Sequence, residues 1–255
     1  GHSHILSSVI PNCVSYDPTF GYELAAIIHD GLRRMVTNQE DVYYYITLMN
    51  ENYEHPALPE GAEQGILKGL YSYRESKAKA ISRVQLLGCG TILREAIAAA
   101  ELLEKDWGVA ADIWSATSFT ELRREGLAAE RCNLLHPEDK ARIPYVTQCL
   151  GKRAGPVVAA SDYMKAFADQ IRPFMPKDAA KDGAKDRIYK VLGTDGFGRS
   201  DSRAKLRHFF EVNRYFIAIA ALKALAESGD GKAKTVAEAI RKYGIDPDKP
   251  DPTTV

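Results

Sequence analysis

The sequence predicts an α/β fold: a mostly parallel sheet with helices on both faces. Three observations carry this. Short apolar runs of strand length alternate with helical patterns along most of the chain, the order expected of layered α/β proteins. Glycines gather where strand-like runs give way to helix-like ones, at Gly88-Cys89-Gly90 and again at Gly193, Gly196 and Gly198. The composition is that of an ordinary globular chain, with 45% hydrophobic and 27% charged residues over 255 positions. That length suits one large domain or two small ones.

Taken in order, Asp17-Pro18 looks like a helix start, because Asp can cap free N–H groups and Pro suits the first turn. Phe20, Leu24, Ile27, Ile28, Leu32 and Met35 then recur at helical spacing. Residues 42–48, rich in Tyr and β-branched side chains, predict a buried strand. His55-Pro56 through Pro59-Glu60-Gly61 is turn-rich and marks a boundary between residues 1–59 and 60–255. Strands are expected at 84–87, 113–116, 156–160 and 188–192. Ile92, Ala96, Ala99, Ala100 and Leu103 define the apolar face of the helix after the first of these. Ser118 with Glu121, and Thr235 with Glu238, have capping-box spacing. Residues 215–225 predict a deeply buried helix. The charge-rich run 177–187 is expected to be a disordered insertion, and the proline-bearing tail 246–252 to lack core residues.

Formal net charge is zero, so no basic field points to nucleic acid. No apolar run is long enough to span a bilayer, and no signal-peptide pattern opens the chain. The four cysteines, Cys13, Cys89, Cys132 and Cys149, form no CxxC pair and read as free thiols of a reducing cytoplasm. Lacking an initiator methionine, the chain is expected to be a processed product or a segment of a longer polypeptide. The six histidines show no metal spacing. His2 and His4 alternate, which on a strand would put both on one face. Gly88-Cys89-Gly90 starts like a dinucleotide fingerprint, but Leu93 stands where its third glycine belongs, so a tight βα turn is expected. Cys89 is expected to be a buried structural thiol. Gly229-Asp230-Gly231 has no Asn after it and reads as a turn.

The richest stretch is Gly193-Thr194-Asp195-Gly196-Phe197-Gly198-Arg199-Ser200-Asp201-Ser202-Arg203. Glycine permits positive φ there, and Phe197 between two glycines suggests a loop packed against something. With Leu206-Arg207-His208-Phe209-Phe210-Glu211-Val212, this stretch resembles the C-terminal region of the bacterial homodimeric pyruvate dehydrogenase E1 family. That family is transketolase-like and thiamine-diphosphate dependent. Other blocks agree in the same order: Gly1-His2-Ser3-His4-Ile5, Ser15-Tyr16-Asp17-Pro18, Asn50-Glu51-Asn52-Tyr53, Pro59-Glu60-Gly61, Thr117-Ser118-Phe119 and Ser161-Asp162-Tyr163-Met164.

The resemblance implies that residues 1–59 are the C-terminal tail of a middle, pyrimidine-binding α/β domain. It implies that residues 60–255 form a transketolase C-terminal-like domain. The implied activity is decarboxylation of pyruvate on thiamine diphosphate, with transfer of the acetyl unit to the lipoyl group of E2, the dihydrolipoyl acetyltransferase. The Gly-Asp-Gly…Asn magnesium site and the catalytic glutamate would lie upstream, so this chain alone would be catalytically incomplete and bind neither thiamine diphosphate nor magnesium. Its partners would be the remainder of the E1 polypeptide, a second E1 subunit and the E2 complex. His2 and His4 are candidates for the edge of the active centre. Asp195, Phe197, Arg199, Asp201 and Arg203 are candidates for an interface loop. Arg199 and Arg203 are expected to pair with carboxylates or carbonyls, and Gly198 to need positive φ. Transketolases carry a sugar-phosphate-binding arginine after the strand equivalent to 43–48. Met49-Asn50-Glu51-Asn52-Tyr53 has none, which implies a small keto acid. The severed 1–55 region should expose apolar surface, with Tyr43, Tyr45 and Ile46 as suspects. Rival readings are a non-enzymatic transketolase C-terminal-like interaction module and a nucleotide-binding α/β protein.

Overall fold

The computed structural model describes residues 1–80, 82–180 and 183–255. The first elements are helix α1 (Ser3–Ser8), strand β1 (Cys13–Tyr16), helix α2 (Gly21–Leu32) and strand β2 (Tyr43–Ile46). A π-helical turn, Arg33–Thr37, extends α2. β1 and β2 pair in parallel, Cys13 opposite Tyr43 through Tyr16 opposite Ile46.

The body follows. It comprises α3 (Glu63–Lys68), β3 (Tyr71–Arg74), β4 (Arg83–Gly88), α4 (Ile92–Trp107), β5 (Ala110–Ser115), α5 (Phe119–Leu135), α6 (Tyr145–Leu150), β6 (Val157–Ala160) and α7 (Lys165–Asp169). Then come β7 (Lys177–Ala180), β8 (Gly183–Asp186), β9 (Tyr189–Leu192), α8 (Arg203–Phe209), α9 (Arg214–Ser228) and α10 (Ala233–Lys242).

Five strands form the main sheet in the order β3-β5-β4-β6-β9. β4, β5, β6 and β9 are parallel, and β3 runs antiparallel on the edge beside β5. One face packs against α4, α9 and α10 through Leu86, Ile113, Ala96, Leu103, Ala218 and Ala221. The other packs against α5, α6 and α7 through Leu87, Trp114, Phe119, Val146 and Phe167. Covering on both faces is what a parallel sheet requires, and it is the fold class expected. The apolar face assigned to α4 is buried at all five positions, and Gly108, at φ +63°, ends that helix. At α5 the Ser118 hydroxyl accepts from the Glu121 N–H at 3.0 Å.

Several local expectations are corrected. Asp17 is not a helix cap. α2 opens four residues later, where Glu23 turns back to accept from the backbone N–H groups of Thr19 and Phe20. Helix α1 starts at Ser3, so His2 and His4 do not share a strand face: His2 is exposed at the helix cap and His4 is buried. α10 begins at Ala233 after Lys232, which puts Thr235 inside the first turn and leaves its capping box unformed. The run expected to be disordered instead forms the antiparallel β7–β8 pair; Lys181 and Asp182 lie outside the described residues. The tail is anchored, since the Lys249 ammonium donates to the Phe209 carbonyl at 3.1 Å and pairs with Glu211 at 2.7 Å. β1 and β3 were not anticipated. β1 is buried throughout and shows no alternation, and β3 alternates over only four residues, too few to stand out.

Candidate functional site

Strand order reverses around β4: the chain passes from β4 to β5 on one side and on to β6 on the other. In open α/β sheets the crevice at the carboxyl ends of such strands is where ligands bind. Here residues 17–19 fill it. The Thr19 hydroxyl donates to the Gly90 carbonyl at 2.5 Å, and the Gly90 N–H donates to the Asp17 carbonyl at 3.1 Å. The Asp17 N–H reaches the Thr117 carbonyl at 2.9 Å. The Asp17 carboxylate accepts from the Thr47 hydroxyl at 2.7 Å and the Cys89 thiol at 3.1 Å. Gly90 has φ +50°, and a Cβ on it would run into that carboxylate. The glycine turn that starts like a dinucleotide fingerprint therefore makes room for an aspartate of the same chain. Burial pushes the Asp17 carboxyl up to about 6 against the hydrogen bonds that favour its charge. Burial and the neighbouring Asp17 charge push the Cys89 thiol well up, so Cys89 is the structural cysteine expected.

His4 adjoins this crevice. Its Nε2 lies 2.8 Å from the Thr47 hydroxyl. That hydroxyl gives its only proton to Asp17, so His4 must donate from Nε2, and Nδ1 carries a bare lone pair. Nδ1 is buried without a hydrogen-bond partner among the described residues. The imidazole stacks on Phe167 at 4.8 Å and meets Tyr163 and Tyr45 edge-on at 4.5 and 5.3 Å. Burial among these rings lowers its pKa to about 4, so it is neutral at pH 7.

A third buried group is Glu23, which accepts from the Ser115 hydroxyl at 2.6 Å and the Tyr71 hydroxyl at 2.7 Å. Burial raises its pKa, and these bonds oppose the rise. Ser118 donates to the Ser15 carbonyl at 2.7 Å, and Arg124 to the Cys13 carbonyl at 2.7 Å. Residues 1–59 thus meet the sheet edge through a continuous buried polar seam. Val14, Tyr16 and Ile27 share one apolar cluster with Ile66 and Tyr71.

The outer end of the seam is ionic. Glu51 pairs with Arg94 at 2.9 Å, with Arg207 at 2.7 Å and more loosely with Arg203 at 3.7 Å; Thr91 donates to it at 3.2 Å. Glu95 pairs in turn with Arg207 at 3.5 Å and with Arg214 at 3.0 Å. Arg94 also lies 4.3 Å over the Tyr53 ring. Glu51, Tyr53, Arg94, Glu95, Arg207 and Arg214 line an open groove of about 870 Å³. The block noted for its missing arginine supplies instead the carboxylate that gathers three arginines.

The glycine loop divides. Arg203 donates to Asn50 Oδ1 at 2.5 Å and faces residues 1–59. Asp195 accepts from the Lys165 N–H at 3.1 Å, and Asp201 pairs with Lys205 at 3.8 Å. Among the described residues Arg199 pairs with no carboxylate; it lies 4.4 Å over the Phe209 ring. Phe197 is not packed but 86% exposed. The positive φ belongs to Gly196, at +94°, where a Cβ would meet the Pro252 carbonyl, and not to Gly198, which has open space. Sequence reasoning missed Asp17, Glu23 and Glu51 as a set; Asp17 and Glu51 lie in matched blocks, and Glu23 lies in none but sits in the first turn of α2.

Among the described residues no three His, Cys, Asp or Glu side chains come together as a metal site. Gly229, at φ +89°, closes α9, and the Asp230 N–H returns to Leu225; Gly229-Asp230-Gly231 is a helix-ending turn. This donor set does not fit a magnesium-bound diphosphate. No helix among the described residues is long and apolar enough to cross a membrane.

Comparison with known proteins agrees along the whole chain. The family model for the transketolase-like C-terminal domain matches residues 69–213. The model for the pyruvate dehydrogenase E1 component middle domain matches residues 1–56. The pyruvate dehydrogenase E1 component of Pseudomonas aeruginosa is 59% identical over 252 residues, 99% of this chain and 28% of that protein. That of Cupriavidus necator is 59% identical over 256 residues, 100% of this chain and 28% of that protein. The chain therefore spans just over a quarter of these relatives. Among solved structures, a transketolase variant from Pichia stipitis in complex with fructose-6-phosphate superposes with a TM-score of 0.60 at 18% identity, over 90% of this chain and 28% of that one. That likeness concerns the fold alone. The chain belongs to the transketolase-like family, on the branch of the bacterial pyruvate dehydrogenase E1 component, and carries that family's C-terminal domain.

Proposed function

We propose that this chain is the C-terminal part of a cytoplasmic pyruvate dehydrogenase E1 subunit. The whole enzyme would decarboxylate pyruvate on thiamine diphosphate and pass the acetyl unit to the lipoyl group of E2. Magnesium and the cofactor would sit on parts of the polypeptide outside these 255 residues, leaving this part to support assembly. Residues 1–59 would complete a middle domain and 60–255 would form the C-terminal one. A second E1 subunit and the E2 complex would be partners. The observation that carries this reading is the 59% identity sustained over 99% of the chain, through both segments.

Three features support it. Leu6, Val9, Ile28, Leu32 and Val36 are exposed on α1, α2 and the turns beside them, and Leu48 just after β2, apolar surface suited to the remainder of an E1 polypeptide. Neutral His4, with its bare Nδ1, suits the edge of an active centre; exposed His2 would lie further out. Glu51 among its arginines leaves no free guanidinium for a sugar phosphate at that position, in keeping with a small keto acid.

Complementation tests the proposal. The chain is mixed with the remaining part of the Pseudomonas aeruginosa relative, thiamine diphosphate and magnesium, and pyruvate-dependent acetyl transfer to a lipoyl domain is measured. Activity that needs both parts is expected. A stable complex with no activity would favour the non-enzymatic interaction module instead.

A further inference from the structure

We propose that one water molecule is built into the interior between α1, β1, α5 and α7, hydrogen-bonded to His4 Nδ1, the Ser15 hydroxyl and the Thr120 hydroxyl. The proposal concerns contacts inside this chain and stands apart from the E1 reading. Three observations carry it.

The first is the set of unpaired groups. Among the described residues, the buried side-chain nitrogen and oxygen atoms that lack a hydrogen-bond partner are His4 Nδ1, Ser15 Oγ and Thr120 Oγ1. Buried polar groups of folded proteins are nearly always paired, with protein or with ordered water.

The second is that the three share one place. Ser15 stands opposite Tyr45 in the β1–β2 pair, so both side chains leave the same face. On that face the His4 ring lies 5.3 Å from the Tyr45 ring and stacks on Phe167 of α7 at 4.8 Å. The Phe119 ring meets Phe167 at 5.2 Å, and Thr120 follows Phe119 at the start of α5. One turn further along α5, Arg124 donates to the Cys13 and Ile10 carbonyls at 2.7 and 2.8 Å. Residues four apart share a helix face, so Thr120 faces β1 as Arg124 does. Ser118, just before α5, is already bonded to the Ser15 carbonyl.

The third is enclosure and valence. His4, Ser15 and Thr120 are each 0% exposed, so a partner from outside the chain does not reach them. The Nδ1 lone pair needs a donor, and each hydroxyl can both donate and accept. Water meets both needs, and a buried water typically makes about three hydrogen bonds to otherwise unpaired groups. It donates to Nδ1 and bridges to the two hydroxyls. The hydrogen-bond chain then runs unbroken from the water through His4 and Thr47 to Asp17. With Nδ1 so occupied, His4 borders the crevice as a held ring and not as a free base, and α1 is tied to α5.

A crystal structure of the 255-residue chain, with unfolding equilibria of Ser15→Ala, Thr120→Val and the double variant, provides the test. Density for one water within hydrogen-bond distance of all three atoms is expected. Removing a hydroxyl from a satisfied network destabilises, whereas removing an orphaned hydroxyl from a dry interior stabilises. Each single variant is therefore expected to lower the folding equilibrium constant by roughly threefold to tenfold. The double variant should lose less than the product of the two, because both act on one water. A site without water density, variants as stable as the parent chain or more so, or losses that simply multiply would overturn the proposal. None of these readouts requires E1 activity, so the water site and the E1 reading can fail independently.

Discussion

At Gly90 a single hydrogen atom decides whether the seam closes. Its φ of +50° and the Asp17 carboxylate beside it leave no place for a Cβ. Gly90→Ala should therefore destabilise the chain by about 2–4 kcal/mol, as overpacking and backbone strain add. A denaturant midpoint equal to that of the parent chain would mean that Asp17 does not occupy the crevice. The loop gives a contrast. Gly198→Val should be neutral to within about 0.5 kcal/mol, because space is open there, whereas Gly196→Val should lower the melting temperature clearly. Asp17 and His4 predict a pH response with opposing signs. Native Asp17, raised from 3.8 to about 6, binds more protons than the unfolded chain between those values, so its contribution to stability falls as pH rises through that window. Native His4, lowered from 6.5 to about 4, binds fewer protons than the unfolded chain in its window, so its contribution rises with pH. Replacing Asp17 by Asn removes the first effect. Unfolding free energy should then climb more steeply between pH 4 and 6.5 than in the parent chain, and parallel curves would contradict the burial of Asp17.

At the scale of elements, the irregular stretch between β2 and α3 is fastened to α4 and α8 by one carboxylate. Hydrogen bonds from Arg207 and Arg94, with their charges, outweigh burial and hold the Glu51 pKa below the usual range. Its contribution to stability is thus present above the unfolded carboxylate pKa and lost as pH falls. Glu51→Gln should cost about 1–3 kcal/mol, because Arg207 keeps its partly buried place with a weaker partner. The loss should shrink at high salt, since Arg94 and Arg203 are partly solvent-exposed. A loss that does not change with salt would make the cradle a packing feature instead. The helices and central strands of this region were legible in the sequence because their patterns are local: the periodic alanines and leucines of α4, the Ser118 cap of α5 and the apolar run of α9. The seam was not. Asp17 before Pro has the chemistry of a cap, and only the distant Cys89, Thr47 and Gly90 make it a core group. Likewise Glu51 gains its role from Arg94 and Arg207, at least 43 residues away in sequence. Buried β1 has no alternation to read, and edge strand β3 is four residues long.

At the scale of the whole molecule, residues 1–59 close the carboxyl edge of the sheet on their inner side and leave apolar residues of α1 and α2 open on their outer side. The expectation that this region would stand exposed holds for Tyr43, but Tyr45 and Ile46 are half-buried, with Ile46 against the cluster of Tyr16 and Ile66. Sealed inside and open outside, the first 59 residues should unfold together with the sheet rather than before it. Hydrogen exchange followed by mass spectrometry tests this central claim directly. Amides of β1 and the Asp17 N–H are expected to exchange in the same slow, cooperative class as those of β4, within about tenfold. Exchange of the β1 amides about a hundredfold or more faster than β4, with β4 unaffected, would show that the seam does not hold the two segments as one unit.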